Sequence, residues 1–168
     1  MTGALFLDID GTIAPIARRN GWMDWTVHVT EGQGAILWSP ALAAALRTLP
    51  ARIVFCTNWF ADADELAPLL DLPAGEWLSD PGVTGDNWWK PAAMKLWLEN
   101  HPDVTRWAFL DDEIDHRDPG YEQLRTVADA MPQRGVLVRQ PPDGIDRTLM
   151  AEVSAFFAGA PTSSARPA

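Results

Sequence analysis

The chain has 168 residues, 47% of them hydrophobic and 21% charged, which is long enough for one domain with a full core and ordinary for a folded globular protein. Its net charge of −10, with 13 basic residues against 23 acidic, argues against a surface that grips duplex nucleic acid through its phosphates. No apolar run is long enough to span a bilayer. Met1 leads almost directly into an apolar segment with no signal-peptide pattern. The single cysteine, Cys56, leaves no partner for an internal disulfide and fits a reducing cytoplasm.

In chain order, short apolar runs alternate with helical patterns. Strands are expected at residues 4–9, 52–56, 107–110 and 135–139, with a weak one near 77–78. Helices are expected at 40–49, 61–70, 91–100, 121–130 and 147–157. Ser39-Pro40 is a good helix start, with Ser as cap and Pro in the first turn. Asn100-His101-Pro102 is a stop. This alternation predicts an α/β fold: a three-layer sandwich around a mainly parallel, Rossmann-like sheet. Residues 14–38 break the pattern. Trp25-Thr26-Val27-His28-Val29, the turn Gly32-Gln33-Gly34, and Ala35-Ile36-Leu37-Trp38 read as a hairpin flap directly after the first strand. Residues 160–168 read as a disordered tail behind a single domain spanning 1–159.

The segment Leu5-Phe6-Leu7-Asp8-Ile9-Asp10-Gly11-Thr12 carries the most chemistry. Side chains alternate along a strand, so Asp8 and Asp10 leave its C-terminal end on the same side. Two carboxylates that close repel unless positive charge lies between them. The simplest partner is a hard divalent cation with oxygen ligands, usually Mg²⁺. Taken alone, Asp-x-Asp-Gly also fits a plain strand-end turn. Three later segments weigh against that. Ile53–Cys56 runs into the hydroxyl residue Thr57. Lys90-Pro91 opens a helix, where a cation opposes the macrodipole and implies a nearby anion. Ala108-Phe109-Leu110 ends in a second acid pair, Asp111-Asp112. The acid pairs and Thr57 fall at C-terminal strand ends, where sheets of this kind bind ligands.

These four segments, in this order, resemble the four motifs of the haloacid dehalogenase (HAD) superfamily of phosphotransferases, over roughly residues 4–157. The resemblance implies a Mg²⁺-dependent phosphatase acting through an aspartyl-phosphate. Asp8 would be the nucleophile. Asp10 would protonate the leaving oxygen and then deprotonate the attacking water. Thr57 would donate to the phosphoryl group, and Lys90 would neutralise Asp8 and the phosphate. The metal would lie between Asp8, the Asp10 backbone carbonyl and Asp112, with Asp111 pairing with Lys90; the roles of Asp111 and Asp112 are open to exchange. Asp10 favours phosphoryl transfer over dehalogenation, because a halide leaves without a proton.

The gaps after the first two motifs are too short for a large cap, so the site is expected to be open. The pattern Cys56-Thr57-Asn58-Trp59, with Phe109-Leu110-Asp111-Asp112-Glu113, looks like a small capless group associated with RNA-repair proteins. That likeness implies phosphorylated substrates such as nucleotides or nucleic-acid ends. Thr12, Asn58, Trp59 and Trp25 are the candidate substrate contacts, the tryptophans by stacking on a ring. The rival reading is a non-catalytic phosphate- or partner-binding module that kept the fold. Oligomeric state, and the choice between Mg²⁺ and Mn²⁺, are not set by the sequence.

Overall fold

The computed structural model describes residues 2–15, 21–72, 76–82, 88–114 and 119–159. Four strands form one all-parallel sheet: β1 (Thr2–Leu7), β4 (Ala51–Phe55), β5 (Val104–Leu110) and β6 (Gly135–Arg139), in the order β4-β1-β5-β6. Two further strands, β2 (Thr26–Thr30) and β3 (Gly34–Trp38), pair antiparallel as a separate hairpin. The helices are α1 (Pro40–Arg47), α2 (Trp89–Asn100), α3 (Pro119–Ala130) and α4 (Arg147–Phe157).

The strand period of two sorts the core into two layers. Leu5 and Leu7 of β1 point to one face, where they join Leu42, Ala43 and Leu46 of α1 and Met150, Val153 and Phe156 of α4. Ala4 and Phe6 point to the other, with Ala93, Met94 and Leu98 of α2 and Leu124 and Val127 of α3. All four of these β1 side chains are fully buried. The sheet is therefore covered on both faces, as its uniformly apolar strands require. α1 is capped as expected: the Ser39 hydroxyl accepts from Leu42 N at 3.1 Å and itself donates to Asp24 at 2.6 Å.

Strand order places β1 at the centre and reverses direction beside it. The chain goes from β1 to β4 on one side and then to β5 on the other, which opens a crevice at the C-terminal ends of β1 and β5. Leu7 lies opposite Leu110 in register, so Asp8 and Asp111 follow side by side. Asp8 N continues the ladder to Leu110 O at 3.0 Å.

Two expected elements differ from the sequence reading. Residues 61–70 are two successive 3₁₀ turns, Phe60–Glu65 and Ala67–Leu70, instead of an α-helix. Phe60 holds a left-handed φ of 49° at the start, and Pro68 has no N–H with which to close an α-helical bond. The weak strand at 77–78 is a single parallel bridge, Phe55 to Trp77, on the β4 edge. The hairpin expected within 14–38 is present as β2 and β3; residues 16–20 of that span, and the expected tail at 160–168, lie outside the described residues. Among the described residues, the stretch between Thr57 and Lys90 holds only the 3₁₀ turns and that bridge, so no large cap is built there. Among the described residues, no helix is long and apolar enough to cross a membrane.

Candidate active site

Asp8 sits one residue beyond β1 and is 4% exposed. Its Oδ1 accepts from Lys90 Nζ at 2.9 Å, and the same ammonium donates to Asp111 Oδ2 at 2.6 Å. Lys90 is 1% exposed at the second position of α2. The anion that a cation at a helix start calls for is thus a pair of carboxylates. The Trp88 ring lies 5.8 Å from Nζ, and Glu113 reaches to 4.0 Å from the solvent side. Pro91 costs the helix nothing here, because first-turn N–H groups have no intrahelical partner.

Asp111 is fully buried and uses both oxygens: Oδ2 on Lys90, and Oδ1 accepting from Glu113 N at 2.8 Å. Asp112 is half-buried and held through its main chain. Its N–H donates to Thr12 Oγ1 at 3.1 Å, and its carbonyl accepts from Gln140 Nε2 at 2.9 Å. The Asp112 carboxylate lies directly over Gly11, where φ is +66°; a Cβ built on Gly11 would collide with it. One oxygen from each of Asp8, Asp111 and Asp112 falls within 4.8 Å of the others.

Three acids face one lysine, so negative charge is left over. Burial raises Asp8 to about 7 despite the nearby Lys90, with Asp111 and Asp112 adding to the rise. Burial, then Asp111 and Glu113, raises Asp112 to about 6. Burial alone would lower Lys90, but Asp8 and Asp111 outweigh it and hold it above its usual value. An under-compensated all-oxygen set, with a glycine cradle that leaves no room for a side chain, fits a hard divalent cation.

The remaining sequence-predicted residues divide. Thr57 is buried at the end of β4, and its hydroxyl accepts from Trp59 N at 3.4 Å. Asp10 is exposed and is not one of the three acids that converge; its Oδ2 accepts from Trp59 Nε1 at 2.7 Å. Two of the four proposed substrate contacts, Thr12 and Trp59, are built differently from the expectation. Thr12 is fully buried and ties the β1 loop to the β5 loop through Asp112. Trp59 is 4% exposed and packs in the α1–α4 core layer, so its faces are not open for stacking. Trp25 is half-buried against the same layer. Asn58 remains exposed, and its Oδ1 accepts from Trp89 Nε1 at 2.9 Å. Sequence reading passed over Phe60 and Trp89, whose rings lie 5.4 Å apart beside Asn58. The signal available was two aromatics flanking the second and third motifs.

A sheet of this order, with acids at the ends of β1 and β5 converging on a buried lysine from α2, is the arrangement of a HAD-type domain. The family model for the HAD domain in Swiss Army Knife RNA repair proteins matches residues 4–137, and the chain belongs to that family. No curated protein and no solved structure matched the chain.

Proposed function

We propose that this protein is a magnesium-dependent phosphatase that forms an aspartyl-phosphate on Asp8 and acts on phosphorylated nucleic-acid ends or nucleotides. The observation that carries this is the Asp8–Lys90–Asp111 arrangement with Asp112 alongside: a buried carboxylate, held by an ammonium, at the mouth of the crevice. Asp8, Asp112 and the Asp10 backbone carbonyl would hold the metal, with Asp111 fixing Lys90 from behind. When bound, Mg²⁺ supplies charge neutralisation of the phosphoryl oxygens. Lys90 would add further positive charge, Thr57 would donate a hydrogen bond from its hydroxyl to a phosphoryl oxygen, and Asp10 would move the proton.

The finer substrate reading is supported by the family and by the rim of the crevice. Asn58, Phe60 and Trp89 flank the Thr57 and Lys90 positions. Phe60 keeps a bulky ring at the surface in a conformation that costs about 1–3 kcal/mol for such a residue. A ring pair there offers a face to a terminal base. The reducing, cytoplasmic setting belongs to the same reading and is supported by the lone, buried Cys56.

The test is release of phosphate from an aryl phosphate with magnesium, compared between wild type and Asp8→Asn. Loss of activity in the variant is expected; an unchanged rate rules the assignment out. Phosphorylated oligonucleotides, assayed beside sugar phosphates and phosphopeptides, then test the substrate class. Phosphate binding with no turnover would instead mark a non-catalytic binding module.

A further inference from the structure

We infer that Trp59 is a positioning residue for Asp10: its indole N–H grips Oδ2 and leaves Oδ1 as the oxygen that transfers the proton. The inference rests on the phosphatase reading above and adds a residue to it.

Asp10 stands outside the ion-pair cluster that immobilises Asp8 and Asp111. It is exposed, on a turn whose next residue is Gly11 at φ +66°. A free aspartate there would sample several rotamers. The donor that meets it is rigid. Trp59 is 4% exposed, it belongs to the same core layer as Trp38, Ile13 and Leu42, and its Nε1 approaches Oδ2 at 2.7 Å across 49 positions of sequence. A large apolar ring whose single polar atom faces an exposed carboxylate fixes that carboxylate from the protein side.

The type of donor matters. An indole N–H gives a hydrogen bond and cannot accept a proton. Oδ1 is therefore the oxygen that the indole leaves free for proton transfer. In the first half-reaction, Asp8 forms a bond to phosphorus, the bond from phosphorus to the leaving oxygen breaks, and the Oδ1 proton passes to that oxygen. In the second, a water oxygen bonds to phosphorus, its proton returns to Oδ1, and the bond from Asp8 to phosphorus breaks, releasing inorganic phosphate. The loop that carries Trp59 also carries Thr57, so one short segment would set both the phosphoryl group and the acid. Misplacing a reacting group by about 1 Å costs on the order of a hundredfold in rate.

Trp59→Phe keeps an aromatic ring, smaller than the indole, and removes the N–H. The experiment measures kcat/KM with magnesium for a series of aryl and alkyl phosphates whose leaving groups span a wide range of basicity, in wild type, Trp59→Phe and Asp10→Asn. Good leaving groups need little protonation and poor ones need much. Trp59→Phe is expected to steepen the dependence on leaving-group basicity. Alkyl phosphates should lose about ten- to a hundredfold more than p-nitrophenyl phosphate, in the direction of the larger Asp10→Asn effect. Adding Trp59→Phe to Asp10→Asn should cost little more. A uniform loss across the series, or no loss, overturns the inference and leaves Trp59 as a packing residue. Should Trp59→Phe fail to fold, the assigned Trp59 indole resonance in Asp10→Ala decides: a clear shift is expected, and an unmoved resonance overturns the proposal. Failure of the phosphatase reading looks different, because wild type would then be inactive or Asp8→Asn unimpaired.

Discussion

Gly11 is where backbone and chemistry meet most tightly. Its φ of +66° suits glycine, and the space a Cβ would need is filled by the Asp112 carboxylate. Gly11→Ala therefore has to push Asp112 aside as well as strain the turn. It is expected to lower stability by about 1–2 kcal/mol, measured by urea unfolding. It is also expected to raise the magnesium concentration for half-maximal activity by at least roughly tenfold, by analogy with the loss of supporting groups around metal ligands. The acids themselves set a pH dependence. Asp8 at about 7 and Asp112 at about 6 both lie above the 3.8 of a free carboxylate, so the folded, metal-free protein binds protons that the unfolded chain has released. Their contribution to stability is present at low pH and is lost as pH rises through about 6 and 7. Lys90 faces the same cluster and opposes the rise, while Asp111 and Glu113 reinforce it. A cation has to displace those protons. The magnesium-induced rise in Tm is therefore expected to be larger at pH 8 than at pH 5, by thermal unfolding at matched metal concentration. An equal rise at both pH values would show that these acids do not hold the ion.

At the scale of elements, the motifs were legible because each needs a particular side chain where a strand or helix ends. Apolar runs reported β1, β4 and β5, and their last residues carried the carboxylates and the hydroxyl. What the sequence hid was long-range pairing. Nothing local to Trp59 says that its N–H meets Asp10, or that Thr12 serves Asp112, because both contacts depend on strands that become neighbours only in the sheet. The same limit applies to the hairpin. Its existence followed from alternation around a glycine turn, but its anchorage did not. The tip lies on the first 3₁₀ turn: Glu65 accepts from Glu31 N at 2.6 Å and Gly32 N at 3.0 Å, and Gln33 Nε2 donates to Asp62 at 2.8 Å. That 3₁₀ turn follows Thr57 and Trp59 directly, so the flap braces the Thr57–Trp59 loop from outside. Glu65→Ala removes both backbone contacts at a half-buried position. A loss of about 1 kcal/mol is expected, with faster limited proteolysis at residues 31–34 and an intact sheet by circular dichroism. Unchanged proteolysis would show that the tip is held by β2–β3 pairing alone.

The whole molecule imposes a field on its substrates. At −10 the protein repels a polyanion at long range, although on the proposed reading Lys90 and a bound metal would attract a single phosphate at contact. These two effects act over different distances. Salt screens the first strongly, since exposed charges interact over about 10 Å at 0.1 M ionic strength, and the buried second one much less. A basic nucleic-acid enzyme loses affinity steeply as salt rises, because it releases counterions on binding. This protein is expected to behave in the opposite sense. With magnesium held saturating, kcat/KM for a phosphorylated oligonucleotide should rise by roughly two- to fivefold between 20 and 200 mM monovalent salt, through the association rate. A small aryl phosphate carries little of that long-range charge, and its kcat/KM should change less over the same range. A fall for the oligonucleotide would mean that a local basic surface guides the strand in spite of the net charge, and that binding beyond the terminal phosphate is electrostatic. A rise would leave the Asn58–Phe60–Trp89 rim and the terminal phosphate as the main points of attachment, so that the enzyme reads the end of a strand more than its length.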